Sequence, residues 1–352
     1  MPKVSVVIPT KNRSPLLAET IERIESQTVP REQYEVIVID NDSNDATRSV
    51  LEQKAKTYPN LKIGWQKKPG AAATRNAGLR LAAYAMVLFI DDDVRAEPGL
   101  IQAHLDCHQK NPNSSVIGAI SMPWGDTTDP FLRYLRDRRI LNPYTPSKGA
   151  IDFTYYHTCN ASTPTQMLQK VGGFNENFSI YGMEDIELGY RLEKAGSRMV
   201  FAPDAQAVHH RFPGFTDFIE RSEQAGYSLG HLLSLHPELR KRFMEHSRIA
   251  RHLKGLHPFY RWTAAAVSPL VSMLTNWERA RGTVPVTRLT DAHYSWSIRY
   301  YFFLGHDRYM KDQKRIHRDL VVPAQAAMEA AYDSPHWQKE YPVKAKRLAN
   351  RR

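Results

Sequence analysis

Short apolar runs alternate with helix-like stretches through the first 90 residues of this chain. Runs at 3–8, 35–39, 61–65 and 85–90 are predicted as strands. Between them, apolar side chains at helical spacing predict helices that begin at Ser14, which can act as an N-cap, and that lie at 45–58 and 74–84. Strands that alternate with helices predict an α/β fold with parallel βαβ units in a doubly wound sheet flanked by helices.

Polar side chains follow three of the four predicted strands, at the point where each strand ends. Ligands of doubly wound sheets bind beyond the carboxyl ends of the strands. Ordinary turn residues explain any one of these polar clusters, since Asp, Asn and Ser are common in loops. Three such clusters together predict a ligand site. They are Pro9-Thr10-Lys11-Asn12-Arg13, Asp40-Asn41-Asp42-Ser43 and Asp91-Asp92-Asp93.

The triple aspartate Asp91, Asp92 and Asp93 carries the clearest chemistry. Adjacent carboxylates repel one another unless a cation neutralises them. Their hard oxygen ligands suit Mg2+ or Mn2+, which commonly shares its coordination sphere with substrate phosphates. A solvated acidic turn that caps the next helix is the alternative. The position directly after an apolar strand, with two other polar strand ends, favours the metal.

The remainder of the chain is predicted to fall into two parts. After a helix at 100–109 and a strand at 115–121, the polar and aromatic stretch 124–153 has no clear period and is expected to shape a substrate pocket or a lid. A further strand is predicted at 199–202. From residue 215 the pattern is helical, with helices predicted at 218–236, 237–253, 262–277, 293–303 and within 323–332. We therefore predict a domain at 1–214 and a helical, basic domain at 215–352.

The formal net charge of +11 arises entirely after residue 210. Residues 211–352 hold 24 Lys and Arg against 13 Asp and Glu, whereas residues 1–210 hold 24 of each sign. Such a region can meet nucleic acid, an anionic membrane surface, a phosphate-bearing substrate or only solvent. It contains no recognised nucleic-acid motif, which argues against nucleic acid.

The same region carries aromatic clusters, Tyr294-Ser295-Trp296 and 300–303. They suit either contact with a membrane or helix packing and self-association as a homo-oligomer. The apolar stretch 262–277 is too short to span a bilayer. The first residues lack the long apolar segment of a signal peptide, and two cysteines cannot form a disulfide framework. We expect a cytoplasmic protein, either free or peripheral on the inner face of the membrane.

Six motifs, in order and at family spacing, resemble the inverting family-2 glycosyltransferases of GT-A fold. The resemblance covers residues 3–210. The motifs are VSVVIPTKNR, VIVIDNDSND, Thr74-Arg75-Asn76-Ala77-Gly78, FIDDDV, Gly172-Gly173-Phe174-Asn175-Glu176 and the stretch from Gly182 to Arg191. At the second motif, Asn41-Asp42 replaces the commoner Asp-Gly pair.

The resemblance implies a donor site for a nucleotide-sugar, with a uridine diphosphate sugar as the default. The loop residues Pro9, Thr10, Lys11, Asn12 and Arg13 would form the wall beside the base. Asp40, with Asp42 beside it, would bind the base or ribose, and Arg75 would lie near the diphosphate. Asp93 would be the direct ligand of Mn2+ or Mg2+, with Asp91 toward the ribose or a water on the metal. Asp92 inherits no role and would tune the local charge. His209, favoured by spacing over His210, would complete the metal shell.

The resemblance also implies a catalytic base, Asp185, with Glu184 beside it at the start of a helix. The alternative is that both acids only favour the helix dipole, by about 0.3–1 kcal/mol. The expected reaction is inverting transfer of a sugar to a hydroxyl of a glycan, a lipid-linked acceptor or another acceptor, in polysaccharide, glycolipid or glycoconjugate synthesis. A catalytically silent module that binds a nucleotide-sugar is the other interpretation, because a fold alone does not confer activity. Retention of both acidic motifs argues against it.

Overall fold

The computed structural model describes residues 3–140, 151–245 and 288–316. These residues contain an eight-stranded sheet with helices on both faces. The strands are β1 (Val4–Thr10), β2 (Tyr34–Asp40), β3 (Leu61–Trp65), β4 (Met86–Ile90), β5 (Val94–Ala96), β6 (Ser114–Ser121), β7 (Asn160–Pro164) and β8 (Arg198–His209). The helices are α1 (Ser14–Glu25), α2 (Thr47–Thr57), α3 (Ala71–Leu81), α4 (Leu100–Lys110), α5 (Pro130–Asp137), α6 (Thr165–Lys170), α7 (Glu184–Lys194), α8 (Phe215–Leu235), α9 (Arg240–Glu245) and α10 (Arg288–Ile316).

The strand order in the sheet is β3-β2-β1-β4-β7-β6-β8-β5. Strands β1 to β4 pair in parallel, as their alternation with helices predicts. Their side chains are buried on both faces of the sheet, with Val6 and Ile8 in one apolar cluster and Val7 in another. Burial on both faces is typical of parallel strands covered by helices. The predicted α/β class is therefore confirmed.

The second half of the sheet is mixed, because β7 runs antiparallel to both β4 and β6. Asn160, at the start of β7, lies beside Ile90, at the end of β4. Strand β5 pairs antiparallel with the end of β8. The antiparallel β7 therefore begins at the same sheet edge where the parallel strands end.

Several predicted boundaries are wrong. Ser14 does not cap α1, since Arg13 holds the cap position and Ser14 is the first helical residue. Helix α3 begins at Ala71, before Thr74, after Gly70 at φ of 114°. Strand β8 continues from the predicted 199–202 to His209. The stretch 124–153, predicted without regular structure, contains α5, with its start capped by the Asp129 carboxylate.

Helices α8 and α10 pack closely against each other, at glycines. A Cβ atom at Gly226 would lie 1.7 Å from the Phe302 carbonyl oxygen, and one at Gly305 would lie 1.8 Å from the Glu223 carbonyl oxygen. Leu229 of α8 belongs to the same apolar cluster as residues of the sheet. Helix α8 begins at the predicted boundary between the two domains, and the division itself stays a prediction.

The helix predicted at 293–303 lies within α10. The helices predicted at 262–277 and within 323–332, and residues 246–253 of the helix predicted at 237–253, lie outside the described residues. Tyr294 is buried in an aromatic cluster with Phe131 of α5 and Phe218 of α8, so this aromatic side chain serves helix packing. In the described part of the chain, no helix has both the length and the apolar character needed to cross a membrane.

Candidate active site

A cavity of about 680 Å3 opens beyond the carboxyl ends of β1 and β4, beside the start of α7. Its lining includes twelve of the fourteen residues that the sequence predicts for the site. These are Pro9, Thr10, Lys11, Asn12, Arg13, Arg75, Asp91, Asp92, Asp93, Glu184, Asp185 and His209. Residues more than 170 positions apart in the sequence therefore meet where the topology of the sheet predicts a ligand site.

Three ligand-type side chains come together at the end of β4. One ligand atom each of Asp91, Asp93 and His209 lies within 4.8 Å of the others. The antiparallel pairing of β5 with β8 places Val94 opposite His209 and so brings the imidazole to Asp93. His209 Nε2 lies 2.9 Å from Asp93 Oδ1, and the other ring nitrogen of His209 is buried without a hydrogen-bond partner among the described residues. Two carboxylates and an imidazole form a donor set that fits Mn2+ or Mg2+.

His210 does not join this cluster. Its backbone N–H donates to the Asp93 carbonyl oxygen at 2.7 Å, and its ring contacts Phe212. The geometry therefore favours His209 over His210 as the ligand.

Asp93 and Asp92 have opposite electrostatic environments although both are buried. Burial alone raises the pKa of the Asp93 carboxyl, but contacts with His209 and Arg13 hold it well below its usual range. At Asp92 burial is the largest effect and raises the pKa. The charge of Arg13 lowers this pKa and the charge of Asp93 raises it, and the resulting pKa is about 7. Asp92 accepts a hydrogen bond from Thr10 Oγ1 at 2.8 Å, so its carboxyl group ties the loop after β1 to the end of β4.

Arg75 connects the two acidic parts of the site. Its guanidinium donates to Asp91 Oδ1 at 2.8 Å and to Glu184 Oε1 at 3.0 Å. Desolvation by burial opposes its charge, but Asp91 and Glu184 together raise the pKa of Arg75 above its ordinary value. A buried charge of this kind is stable only when it is paired, so Arg75 fixes the start of α7 against the end of β4.

Asp185 lies at the second position of α7 and lines the cavity. Its Oδ1 accepts from the Ile186 N–H at 2.8 Å, and its Oδ2 lies 3.5 Å from His157 Nδ1. Burial raises the pKa of Asp185, but the contact with His157 and the charge of Arg75 outweigh it and lower the pKa. Burial and the charge of Asp185 raise the pKa of Glu184. The two neighbouring acids therefore differ in the direction of their pKa shifts, which is down at Asp185 and up at Glu184.

Asp40 and Asp42 do not line the cavity. Asp40 is buried at the end of β2, where Oδ1 accepts from the Ser43 N–H at 3.1 Å, and Asp42 is exposed at φ of 58°. Asn41 lines the cavity between them. Its amide accepts from Gly70 N–H at 3.1 Å and donates to two carbonyl oxygens of the same loop, so it shapes the entry to α3.

Among the lining residues outside the predicted set, four have a cationic, imidazole or phenol side chain, namely His157, Tyr181, Arg211 and Arg221. His157 stands outside the six sequence motifs, and no local pattern marks it. Tyr181 stands directly before the motif that begins at Gly182, and this position is the sequence feature that points to it. Arg221 lies inside a predicted helix, and its sequence position carries no sign of the cavity.

Comparison with known families matches residues 5–172 to the family described as glycosyl transferase family 2. Residues 142–212 match a second family described as the N-terminal domain of galactosyltransferase. The chain is 33% identical over 240 residues to a validoxylamine A glucosyltransferase of Streptomyces hygroscopicus subsp. jinggangensis, over 60% of this chain and 57% of the relative. It is 27% identical over 252 residues to a chondroitin synthase of Escherichia coli, over 62% and 36% of the two chains. The chain thus spans little more than half the length of the glucosyltransferase and about a third of the length of the chondroitin synthase.

The fold is similar to that of solved glycosyltransferases. A mannosyltransferase from Pyrobaculum calidifontis, solved with GDP-Man and Mn2+, gives a TM-score of 0.62 at 21% identity, over 88% of each chain. Residues 1–349 of S. aureus TarS, solved with UDP, give a TM-score of 0.51 at 17% identity, over 88% of this chain and 92% of that one. Residues 5–172 of this chain therefore belong to glycosyl transferase family 2, and its fold is of the GT-A type.

Proposed function

We propose that this protein is an inverting glycosyltransferase that moves a sugar from a nucleoside diphosphate sugar to an acceptor hydroxyl. The observation that carries the proposal is the meeting of the Asp91, Asp93 and His209 cluster with Asp185 in one cavity. The cluster suits the charge of a departing diphosphate, and Asp185 suits removal of a proton from the acceptor. Inversion needs one such base, acting on the face of the sugar opposite to the leaving group.

Asp91, Asp93 and His209 would hold Mn2+ or Mg2+. When bound, the ion would act as a Lewis acid that offsets charge on the diphosphate. Arg13 contacts the Asp93 carboxylate, so it keeps the loop after β1 close to the cluster. We assign this loop, from Pro9 to Arg13, to binding of the nucleotide. Asp40 and Asp42 would contribute to that binding by fixing the shape of the neighbouring turn.

Asp185 would act as the catalytic base. Its low pKa keeps the carboxylate ionised at neutral pH, and its side chain is 20% exposed toward the cavity. Glu184 is bound by Arg75 and would position the start of α7. The acceptor hydroxyl would approach Asp185 from the side of His157 and Tyr181, which also line the cavity.

The test is a panel of UDP-glucose, UDP-N-acetylglucosamine and GDP-mannose, each with Mn2+ or Mg2+. The panel covers both nucleotides because the similar structures were solved with GDP-Man or with UDP. A donor at about 100 times its Kd stabilises the folded protein by about 2.7 kcal/mol, so we expect the melting temperature to rise by about 5 °C or more with one donor. Slow metal-dependent hydrolysis of the same donor should accompany the rise.

Asp93→Ala should abolish both the stabilisation and the hydrolysis, because it removes a ligand and leaves His209 without its partner. Asp106→Asn, a change at an exposed acid of α4, serves as the matched control and should behave as the parent. If no donor stabilises the parent, or if Asp93→Ala responds as the parent does, the donor site lies elsewhere.

A further inference from the structure

Two arginines and a tyrosine meet at the rim of the cavity. The Arg221 guanidinium carbon lies 5.2 Å from the centre of the Tyr181 ring, and that of Arg211 lies 5.8 Å from it. Arg211 Nη1 is also 3.5 Å from the Tyr181 hydroxyl. All three side chains line the cavity, and Tyr181 is 42% exposed. We call this group the arginine-tyrosine rim.

The rim is held in place by contacts to the body of the protein. The buried Trp124 indole N–H donates to the Arg211 carbonyl oxygen at 2.7 Å, which fixes the chain just after β8. Ser228 Oγ of α8 donates to the Tyr181 carbonyl oxygen at 3.2 Å. Arg221 belongs to α8 itself. These contacts fix the backbone of each member beside the cavity.

The two guanidinium groups repel each other. Desolvation by burial, and then the charge of Arg211, lower the pKa of Arg221. Within the described residues, no carboxylate lies within ion-pair distance of Arg221, and its contact there is the Tyr181 ring. An anion between the two arginines would relieve this repulsion and accept charge-assisted hydrogen bonds.

We propose that the arginine-tyrosine rim binds an anionic group, a phosphate or a carboxylate, on the sugar acceptor. The inference rests on the proposed function. Tyr181 lies in the segment that leads directly into α7, whose second residue is the proposed base Asp185, and both side chains line the same cavity. The exposed ring offers an apolar face to the sugar, and the arginines offer charge to its acidic substituent. The donor diphosphate has its own cation site at Asp91, Asp93 and His209.

The experiment compares sugars of equal size that differ in charge. Binding of glucose, glucuronate and glucose 6-phosphate is measured by calorimetry on the full chain, loaded with Mn2+ and the nucleotide of the donor found in the panel. We expect one or both anionic sugars to bind at least about tenfold more tightly than glucose. Arg211→Gln and Arg221→Gln should each reduce that preference about threefold, and the double variant should remove it.

The nucleotide affinity of the same variants shows whether the rim binds an anionic group of the acceptor or the diphosphate of the donor. If the rim serves the acceptor, the Kd of the nucleotide stays within about twofold of the parent value, since no charge-assisted bond to it is lost. If nucleotide affinity falls as much as sugar affinity, the rim binds the donor diphosphate, and the proposal is wrong. Equal binding of all three sugars by the parent also overturns it.

Arg48→Gln is the matched control, because Arg48 likewise lies over an aromatic ring, Trp65, at 4.9 Å, but outside the cavity. It should leave both affinities unchanged. Failure of the nucleotide to bind the parent would count against the proposed function itself, whereas nucleotide binding without a preference for anionic sugars would count against the rim alone.

Discussion

At the scale of single residues, ion pairs and imidazole contacts connect the acids of the site to partners elsewhere in the sequence. Asp91 and Glu184 share Arg75, Asp93 contacts Arg13 and His209, and Asp185 has His157 beside it. Motifs in the sequence predict the acids, because each acid directly follows a strand or begins a helix. They do not predict Arg13 and His157 as partners, since those contacts form only when distant segments meet in the folded chain.

The proposed roles of Asp185 and His157 can be tested by pH-dependent kinetics. Asp185→Asn should reduce kcat by about 10^2 to 10^4, the usual worth of a general base, while nucleotide affinity is retained. His157→Gln should keep the base but raise the pKa of Asp185, since a contact that lowers this pKa is lost. The acid limb of kcat/KM should then move to higher pH.

The control for this pair of variants is Asp106→Asn, at the surface of α4. Retained turnover in Asp185→Asn would refute the assignment of the base. An acid limb at the same pH in His157→Gln and the parent would show that His157 does not act on Asp185.

At the scale of helices and strands, local pattern predicts some elements better than others. Strands β1, β2 and β4 are recognisable because both faces are apolar and buried. Strand β7, with the sequence NASTP, is not, because its buried Asn160 and Ser162 are satisfied by histidines of α4 that the local sequence does not contain. The register of β8 against β6 jumps from Ala202 to Gln206 at the bulge after Pro203, which hides the second half of the strand from an apolar pattern.

The close packing of α8 against α10 can be tested by a substitution at one of the glycines between them. Gly305→Ala would place a methyl group 1.8 Å from a carbonyl oxygen of α8, so the helices must move apart. We expect the free energy of unfolding in urea to fall by about 1–3 kcal/mol or more, the usual cost of overpacking. Gly125→Ala is the control, because a Cβ there meets no atom within 4 Å. Equal unfolding midpoints for Gly305→Ala and the parent would contradict the close contact between the helices.

At the scale of the whole molecule, a buried polar network joins strand β7 of the sheet to α4. His104 contacts Asn160 Oδ1 and Ser162 Oγ, each at 2.8 Å, and His108 Nε2 lies 2.8 Å from the same Ser162 Oγ. Burial lowers the pKa of His104 to about 4, and burial with the neighbouring His104 lowers that of His108 to about 3. Both imidazoles are therefore neutral in the folded protein at pH 5, where they would be protonated in the unfolded chain.

This difference predicts the pH dependence of stability. Because the folded pKa values lie below the unfolded value of 6.5, the unfolded state binds more protons as the pH falls, and stability is lost. Between pH 7 and pH 5 each histidine should cost about 2 kcal/mol, since one pKa unit corresponds to about 1.4 kcal/mol. Urea unfolding of the parent at both pH values measures the loss.

His108→Gln should unfold with a smaller difference between pH 7 and pH 5 than the parent, even if it is less stable at both. His306→Gln, at a partly exposed histidine of α10, is the control and should keep the parent's difference. A parent equally stable at both pH values would contradict the prediction.

The reversed direction of β7 has a consequence for how this protein could change over evolution. Strand β7 begins at the sheet edge that faces the cavity, so His157, which lines the cavity, comes before its strand in the sequence. Asp91 and Asp93, in contrast, come after their strand, β4. On the proposed function, donor binding depends on residues 9–93 together with His209, whereas His157, Tyr181, Arg211 and Arg221 are assigned to the acceptor. Substitutions at these four positions, or an insertion ahead of β7, could therefore change the acceptor while the donor site is kept.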